Sequence, residues 1–417
     1  MSAEVSRRAF LTGIGAVGVA GVAAGIAGCT DHSASGSRSG GDAAAGDNST
    51  VPFRGDHQAG IVTPAQDRLA FAAFDITSSA RADLLAMLTT WTAAAEAMTQ
   101  GDQVPGGASD LAAPPADTGE AVGLPASALT ITIGFGPSLF DDRFGLASRR
   151  PTALEKLPAL PGDRLQPELS DGDLCIQACA NDPQVAFHAV RNLARLARGT
   201  AVMRWSQLGF GRTSSTGAEQ ATPRNLMGFK DGTRNIKSDE KDVLDQHVWV
   251  GDETDQPWMK GGSYLVSRRI RMLIEAWDRD YLADQQNVFG RFKTSGAPLT
   301  GSTEFDTPDF TKADAGKQVI PADAHIRLAS HENNDGLRLL RRGYSYTDGI
   351  DPVTGELDAG LFFIVFQKNA HTHFVPLQRK LGTQDALNEY IKHTSSALFA
   401  CPPGLRPGQS WADQLTA

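Results

Sequence analysis

The sequence predicts an α+β protein built from two ferredoxin-like domains, each an antiparallel sheet with helices on one face. Two observations lead to this fold class. The first half of the chain shows strand and helix patterns in the order β-α-β-β-α-β, and the second half repeats that order less regularly. The chain has 417 residues, which leaves enough for two ordinary domains after a leader and a tether are set aside.

The predicted N-terminal domain spans residues 53–215. Apolar runs predict its strands, and the spacing of Leu84 and Leu88 is typical of a helix face. Asp182 followed by Pro183 is a strong signal for the start of a second helix. The predicted elements are strand 68–76, helix 80–98, strand 129–135, strand 173–180, helix 182–198 and strand 201–210.

The predicted C-terminal domain spans residues 216–417. A long irregular stretch, residues 290–322, is rich in Gly, Pro, Thr and Asp. Such loops inside a compact domain are usually functional or disordered, and this one ends just before His325, which favours function. The predicted elements are strand 263–271, helix 273–289, strand 337–344, strand 361–367 and helix 385–398.

The first 28 residues are predicted to be a twin-arginine export signal, because residues 6–11 have the sequence SRRAFL and an uncharged segment follows. The run Ile26-Ala27-Gly28-Cys29 resembles a bacterial lipobox, in which Cys29 is lipidated after cleavage. Ordinary secretory cleavage and an uncleaved anchor are the alternatives. Residues 29–52 are predicted to be a flexible linker. The expected location is the outer face of the cytoplasmic membrane as a lipoprotein, or else the periplasm or extracellular space.

Composition excludes several classes of function. The net charge of −9 becomes −10 when the leader, with its net charge of +1, is removed, so nucleic acid is an unfavourable partner. No GxGxxG or Walker pattern opens a helix after a predicted strand, and the GxSxG pattern of hydrolases is absent. Beyond Cys29, the C-x3-C pair and a third cysteine have no zinc spacing and are predicted to be buried small hydrophobes: Cys175, Cys179 and Cys401.

Three residues that lie far apart in the sequence, or stand alone there, have the side chains that peroxide cleavage at a haem requires: an iron ligand, a group that moves a proton and a positive charge. His325 needs no ligand cluster around it, because porphyrin supplies four nitrogens to the iron. Asp231, between Gly228 and Gly232, can approach a flat ligand and move a proton, and Arg341 offers a permanent positive charge. Each has an ordinary alternative: a surface turn, a core or surface histidine, and a solvated strand end.

Together these motifs resemble the dye-decolourising peroxidases, and among them the exported subgroup that includes the iron-transport-associated deferrochelatases. The resemblance rests on GFKDGT, AHIRLA and LRRGYSY, supported by three further segments, and it covers roughly residues 53–400. The matching segments are residues 53–61, 181–188, 228–233, 262–270, 324–329 and 340–346.

The resemblance implies haem b, held mainly by the C-terminal domain. It makes His325 the proximal iron ligand, Asp231 the distal acid-base and Arg341 the distal charge stabiliser. It puts Asn235 where a polar residue orders peroxide or water, and Asp385 is the candidate acceptor for the second ring N–H of His325. The remaining residues implied to border haem are Gly232, Thr233, Arg234, Ser330, His331 and Glu332.

The implied reaction is the reduction of hydrogen peroxide coupled to the oxidation of dyes or other organic substrates. Two alternatives remain open: release of iron from haem during iron uptake, and a haem-binding lipoprotein without turnover. Iron-permease components and a second copy of the chain are implied partners. Because bulky dyes cannot reach a buried haem, four aromatic side chains are candidate electron routes, with core packing as the alternative for each: Trp205, Trp258, Tyr344 and Tyr346.

Overall fold

The computed structural model describes residues 47–106 and 111–416. In the first half, every predicted strand and helix is present, with ends that differ from the prediction by at most two residues. The second helix begins as predicted, because the Asp182 carboxylate accepts hydrogen bonds from the Gln184 and Val185 N–H groups. The elements are β1 (Arg68–Ile76), α1 (Arg81–Thr99), β2 (Thr130–Phe135), β3 (Leu174–Ala180), α2 (Pro183–Leu196) and β4 (Ala201–Arg212).

The second half contains more and shorter secondary-structure elements than its sequence pattern predicts. It contains short strands and short helices around the predicted long loop. The elements are α3 (Lys241–His247), β5 (Ser263–Met272), α4 (Ile274–Trp277), α5 (Leu282–Phe289), β6 (Ala313–Asp314), β7 (Lys317–Gln318), α6 (His325–Ala329), β8 (Leu340–Arg341), β9 (Tyr344–Ile350), β10 (Leu357–Gln367), α7 (Phe374–Gln384), β11 (Ile391–His393), β12 (Ala397–Cys401) and α8 (Trp411–Thr416).

The predicted helix at 385–398 is wrong. Residues 386–389 form one 3-10 turn, and the chain then runs as β11 and β12 along β5. The backbone N–H and C=O groups on that side of β5 need partners, and pairing with β11 and β12 supplies them, which overrides the local helical pattern. The helix nearest to the predicted one is α7, which ends at Gln384, one residue before the predicted start.

Two other predicted elements are each split in two. The predicted helix 273–289 breaks between α4 and α5, where the Gln285 side chain donates to the Trp277 carbonyl at 2.8 Å. Trp277 is fully buried and donates its own Nε1–H to the Met227 carbonyl at 3.0 Å. The predicted strand 337–344 becomes β8 and the start of β9. Tertiary anchoring of single side chains therefore decides where these elements end.

Ten strands of the two halves form one antiparallel sheet. Its order is β11-β5-β12-β2-β3-β1-β4-β9-β10-β8, and an additional pairing of β5 with β10 closes eight of these strands into a ring. On the face of β1 opposite α1 and α2, side chains from both halves meet in one buried cluster, which includes Phe71, Trp205, Tyr344, Phe362 and Phe399. The described residues accordingly form one compact unit.

The remaining sequence predictions concern the cysteines and the N-terminus. The cysteines at 175, 179 and 401 are free and buried, as predicted. The export signal, Cys29 and the linker up to residue 46 lie outside the described residues. Among the described residues, none of the helices is long and apolar enough to cross a membrane.

Candidate active site

A cavity of about 250 Å³ brings together the residues that the sequence analysis singled out. It lies against β5, β10 and α7, and all of its lining residues fall between 225 and 393. Asp231, His325 and Arg341, which are far apart in sequence, all line it. The other predicted residues on its wall are Gly232, Thr233, Arg234, Asn235, Ser330, His331 and Asp385.

The turn that carries Asp231 is held rigidly from several sides. The Asp231 N–H donates to the Pro223 carbonyl at 3.0 Å, and the Asn225 side chain donates to the Asp231 carboxylate at 3.2 Å. Gly232 has a φ of +82°, and a Cβ there would lie 2.9 Å from the Cα of Ser214. The glycine is therefore required both by backbone conformation and by the close approach of a neighbouring strand end.

Arg341 forms an ion pair with Asp231 across 2.9 Å. Arg341 lies on the two-residue strand β8, which pairs with β10 at Val365. The Asp231 side chain is 13 % exposed and that of Arg341 is 28 % exposed, and both border the cavity. One wall of the cavity thus presents a carboxylate and a guanidinium in direct contact.

His325 is the first residue of α6, and its ring is oriented by a buried carboxylate. The Nδ1 atom lies 2.6 Å from Asp385, whose other oxygen accepts the Leu387 N–H at 2.9 Å. Burial alone would lower the pKa of His325, but the charge and hydrogen bond of Asp385 outweigh it and hold the pKa above its usual value. With Nδ1 donating to Asp385, Nε2 is the ring nitrogen left for a metal.

The residues of the cavity fit haem. His325, Asp231 and Arg341 all line this cavity, so the imidazole and the ion pair border one shared space. The remaining wall is largely apolar, as a porphyrin face requires, and includes Ile270, Met272, Phe289, Leu361, Phe363 and Leu377. Between residues 47 and 416, apart from 107–110, no group of three or more metal-ligating side chains occurs.

The predicted haem-bordering residues after His325 are arranged unequally. Arg234 holds Glu332 through two hydrogen bonds of 2.6 and 3.0 Å, and its guanidinium lies 3.4 Å from His331. Ser330 uses its hydroxyl to donate to the Arg327 carbonyl at 3.0 Å. Glu332 is absent from the cavity wall and contacts the site through Arg234 and through the His331 ring, whose Nε2 lies 3.5 Å from the Glu332 carboxylate.

Sequence reasoning missed several residues of this cavity. Lys230 lies inside the Asp231 motif and Asn225 lies three residues before it, so the motif was the signal that could have found them. Phe289 and Arg291 also line the cavity, at the point where α5 ends and the long loop begins. The start of the long loop was a signal available in the sequence, but the burial of Arg291 could not be predicted from one sequence.

The four aromatic side chains considered as electron routes are all buried. Tyr344 and Tyr346 have no exposed surface, and Trp205 and Trp258 are only 6 % and 7 % exposed. The Trp205 and Trp258 indole N–H groups donate to the Asp171 and Arg149 carbonyls. The burial of the four rings agrees with the core-packing alternative.

The chain is similar to known proteins over most of its length. The N-terminal family model of the Dyp-type peroxidases matches residues 58–211, and the C-terminal model matches residues 222–406. A deferrochelatase from Shigella sonnei is 39 % identical over 413 residues, covering 98 % of this chain and 96 % of that protein. A DyP-type peroxidase structure from Streptomyces coelicolor is 41 % identical with a TM-score of 0.81, covering 88 % of this chain and 97 % of that one. Ferric DtpA from Streptomyces lividans is 40 % identical with a TM-score of 0.81, covering 89 % and 98 %.

Proposed function

This chain belongs to the Dyp-type peroxidase family and is a haem peroxidase, and on that premise we propose how its residues divide the reaction. Asp231 is the proton shuttle, Arg341 is the charge stabiliser and His325 is the iron ligand. The observation that carries this assignment is the convergence of the three side chains on one cavity from separate parts of the chain. A carrier protein would not need a carboxylate and an arginine opposite the ligating histidine.

Bound haem supplies the iron at which hydrogen peroxide is reduced. Asp231 takes a proton from one oxygen of hydrogen peroxide and delivers it to the other, so that the departing oxygen leaves as water. Arg341 keeps the Asp231 carboxylate available as a hydrogen-bond acceptor and stabilises the negative charge that develops as the O–O bond breaks. Both residues are already in contact, so neither has to move far into place.

Asp385 acts on the reaction through His325. Its carboxylate fixes the ring orientation and increases the electron-donating strength of the imidazole. The same carboxylate accepts the Leu387 N–H, so its own position is fixed by the backbone.

We further propose that the two halves of the chain are ferredoxin-like repeats, residues 53–215 and 216–417, and that the second holds the haem. The strand orders β4-β1-β3-β2 and β12-β5-β10-β9 support the repeat. When the four main strands of each half are numbered by their order in the chain, both halves have the order 4-1-3-2. The cavity residues, all between 225 and 393, support the second statement.

Release of iron from haem is the second candidate function. It is favoured by relatives named deferrochelatase that are 39 % identical over 98 % of this chain. Iron-permease components are the corresponding partners, together with a second copy of the chain. This function would use the same cavity, and accumulation of metal-free porphyrin when haem is supplied distinguishes it from peroxide cleavage.

Export by the twin-arginine route is part of the proposal, since that route carries folded proteins with an inserted cofactor. Lipidation of Cys29 would keep the protein at the outer face of the membrane. A Cys29→Ala variant should leave the membrane fraction and lose the lipid mass. Unchanged mass and fractionation would remove lipidation from the proposal.

Stopped-flow absorbance of the ferric protein mixed with one equivalent of hydrogen peroxide tests the assignment of Asp231. The Soret band of the wild type should change rapidly. In Asp231→Asn the rate should fall by ~10²–10⁴, the usual contribution of a positioned proton shuttle, while the haem content stays the same. A wild-type rate in Asp231→Asn would contradict the assignment.

A further inference from the structure

A second cavity, of about 590 Å³, has lining residues that are all different from those of the active-site cavity. Its volume lies in the range of about 300–1,000 Å³ that is usual for small-molecule sites. Residues 53–61 contribute nothing to the active-site cavity, but Asp56 and His57 from this segment line the second cavity. Its other lining residues fall within 245–261 and 403–414. The protein thus contains a ligand-sized space that the proposed reaction does not use.

His57 and Trp249 form one stack in the wall of the second cavity. Their ring centroids are 3.7 Å apart and their planes differ by 4°. The Nδ1 atom of His57 lies 2.7 Å from the Gly261 carbonyl, and since a carbonyl can only accept, Nδ1 donates. Nε2 is therefore the acceptor nitrogen of the neutral ring, and it remains accessible without a hydrogen-bond partner among the described residues. The stack thus offers an unused acceptor to a ligand.

Two deeply buried polar side chains of the second cavity also lack partners. Trp249 and Gln414 are each only 7 % exposed, and both line the cavity. Neither the Trp249 indole N–H nor the Gln414 amide forms a hydrogen bond with another residue in the described part of the chain, although both groups remain accessible. By contrast, the indole N–H of Trp258, a third lining residue, donates to the Arg149 carbonyl at 3.0 Å. Polar side chains buried to this extent are usually paired, so the two unpaired ones indicate a ligand that carries hydrogen-bonding groups.

The charges around the second cavity favour a neutral ligand. Arg406 pairs with Asp56 at 2.6 Å, and Lys260 pairs with Asp252. Asp245 also lines the cavity, and it has no ion-pair partner among the residues that the structure describes. Three carboxylates and two cations leave a net charge of −1, which repels an anion. A cation would have to approach the unpaired indole N–H, whose hydrogen carries a partial positive charge.

We propose that the second cavity binds a neutral phenol with a second oxygen substituent. The phenol hydroxyl donates to Nε2 of His57, and the ligand oxygen atoms accept from the Trp249 indole N–H and the Gln414 amide. The aromatic ring packs against the apolar lining residues, as is usual in small-molecule sites: Val250, Pro257, Trp258 and Pro403. An extended peptide is the competing occupant, but its backbone offers no flat apolar ring to this surface. The inference goes beyond the proposed function, because binding requires neither haem nor hydrogen peroxide.

The test is calorimetric titration of the full-length ferric protein with 4-methoxyphenol, without hydrogen peroxide. The wild type should bind one molecule with an unchanged Soret band, because the active-site cavity is not used. The probe 1,4-dimethoxybenzene has the same ring but no hydroxyl donor, so it should bind about two- to tenfold more weakly, the usual contribution of one hydrogen bond. In His57→Phe this preference should disappear, because phenylalanine keeps a flat ring beside Trp249 but offers no acceptor. A preference that persists in His57→Phe would contradict the proposal.

Trp249→Phe removes the indole N–H and keeps an aromatic ring, so it should weaken the binding of 4-methoxyphenol by about two- to tenfold. Trp205→Phe is the matched control. Trp205 is 6 % exposed, and its indole N–H donates to the Asp171 carbonyl, outside the second cavity. This variant should therefore bind 4-methoxyphenol as the wild type does. Wild-type affinity in Trp249→Phe, or an equal loss in both variants, would overturn the proposal.

Three further results would also defeat the proposal. If 4-methoxyphenol does not bind to the wild type, the second cavity is not a phenol site. Binding that shifts the Soret band and keeps its affinity in Trp249→Phe would place the phenol in the active-site cavity alone, which leaves the proposed function intact. Tighter binding of N-acetylprolinamide than of 4-methoxyphenol would identify a peptide as the occupant. If Trp249→Phe does not fold, Gln414→Met replaces it, and wild-type affinity there overturns the proposal in the same way.

Discussion

The Asn235 side chain forms hydrogen bonds with both the N–H and the C=O of Arg341. Its Oδ1 accepts the Arg341 N–H at 2.8 Å, and its Nδ2 donates to the Arg341 carbonyl at 2.8 Å. The same Nδ2 also donates to the Ser215 carbonyl at 3.1 Å. Since β8 has only two residues, this amide satisfies backbone groups that a longer sheet would satisfy with a neighbouring strand. We therefore expect Asn235 to act by positioning Arg341, rather than by ordering peroxide with its amide.

Replacing Asn235 should reproduce much of the loss caused by replacing Arg341. Asn235→Ala removes the partner of the Arg341 N–H, whereas the Arg341 carbonyl still accepts from the Ser214 hydroxyl at 2.8 Å. We therefore expect a loss of ~1–3 kcal/mol in unfolding free energy and slower peroxide cleavage. Stopped-flow rates of the two single variants and the double variant with Arg341→Leu measure the coupling. Independent roles would give a double variant whose rate loss is the product of the single losses, which would contradict positioning.

Arg341→Leu should slow peroxide cleavage by ~10²–10³, the usual effect of removing a donor that stabilises developing charge. It also leaves Asp231 without its cationic partner. Arg341→Lys should recover only part of the rate, because an ammonium group lacks the planar fork of guanidinium. The measurement is the second-order rate constant with hydrogen peroxide, and haem content is the control. A Lys variant with the full wild-type rate would show that charge alone is sufficient.

Asp385→Asn should weaken the coordination of the haem iron by His325. Asparagine keeps an acceptor for the Leu387 N–H but loses the negative charge beside Nδ1. Haem release should become ~10–100-fold faster, and the reduction potential should rise, because a less basic imidazole stabilises ferric iron less. Spectroelectrochemistry and haem transfer measure the two effects. An unchanged potential would mean that Asp385 contributes only to local structure.

Acid should destabilise the fold through His373. Burial lowers its pKa to about 4, and the charges of His247 and Lys368 act in the same direction. Between about pH 6.5 and 4 the unfolded state binds a proton at this position and the folded state does not, so stability falls as pH falls through that window. The loss reaches at most about 3 kcal/mol from this group. Urea unfolding at pH 7 and pH 4.5 should show a smaller difference in His373→Gln, and an equal difference would exclude His373 as a source.

Gly232→Ala should destabilise the protein more than the same change at Gly349. Both glycines have positive φ angles, +82° and +91°, so both changes introduce backbone strain. A Cβ at Gly349 meets nothing within 4 Å, whereas a Cβ at Gly232 meets the Ser214 backbone at 2.9 Å. Gly349→Ala should cost about 1 kcal/mol and Gly232→Ala more, with an additional loss of peroxide reactivity. Equal melting temperatures of the two variants would show that the Ser214 backbone yields easily.

Sequence by itself determined the local features of this protein. The apolar spacing of α1 and the Asp182 cap of α2 predicted the first-half elements, because such features act between residues close in the chain. The glycines around Asp231 predicted a tight turn for the same reason. Motif resemblance then identified the family and the haem, which composition and periodicity alone could not have done.

Tertiary structure decided everything that depends on which distant residues meet. Residues 391–401 became strands because β5 needed partners, and no local pattern records that need. The contacts of Arg341 with both Asp231 and Asn235 depend on how segments about 100 residues apart are placed next to each other. A hydrogen bond or ion pair across about 100 residues depends on the relative placement of two backbones, which a single sequence does not encode in any local period.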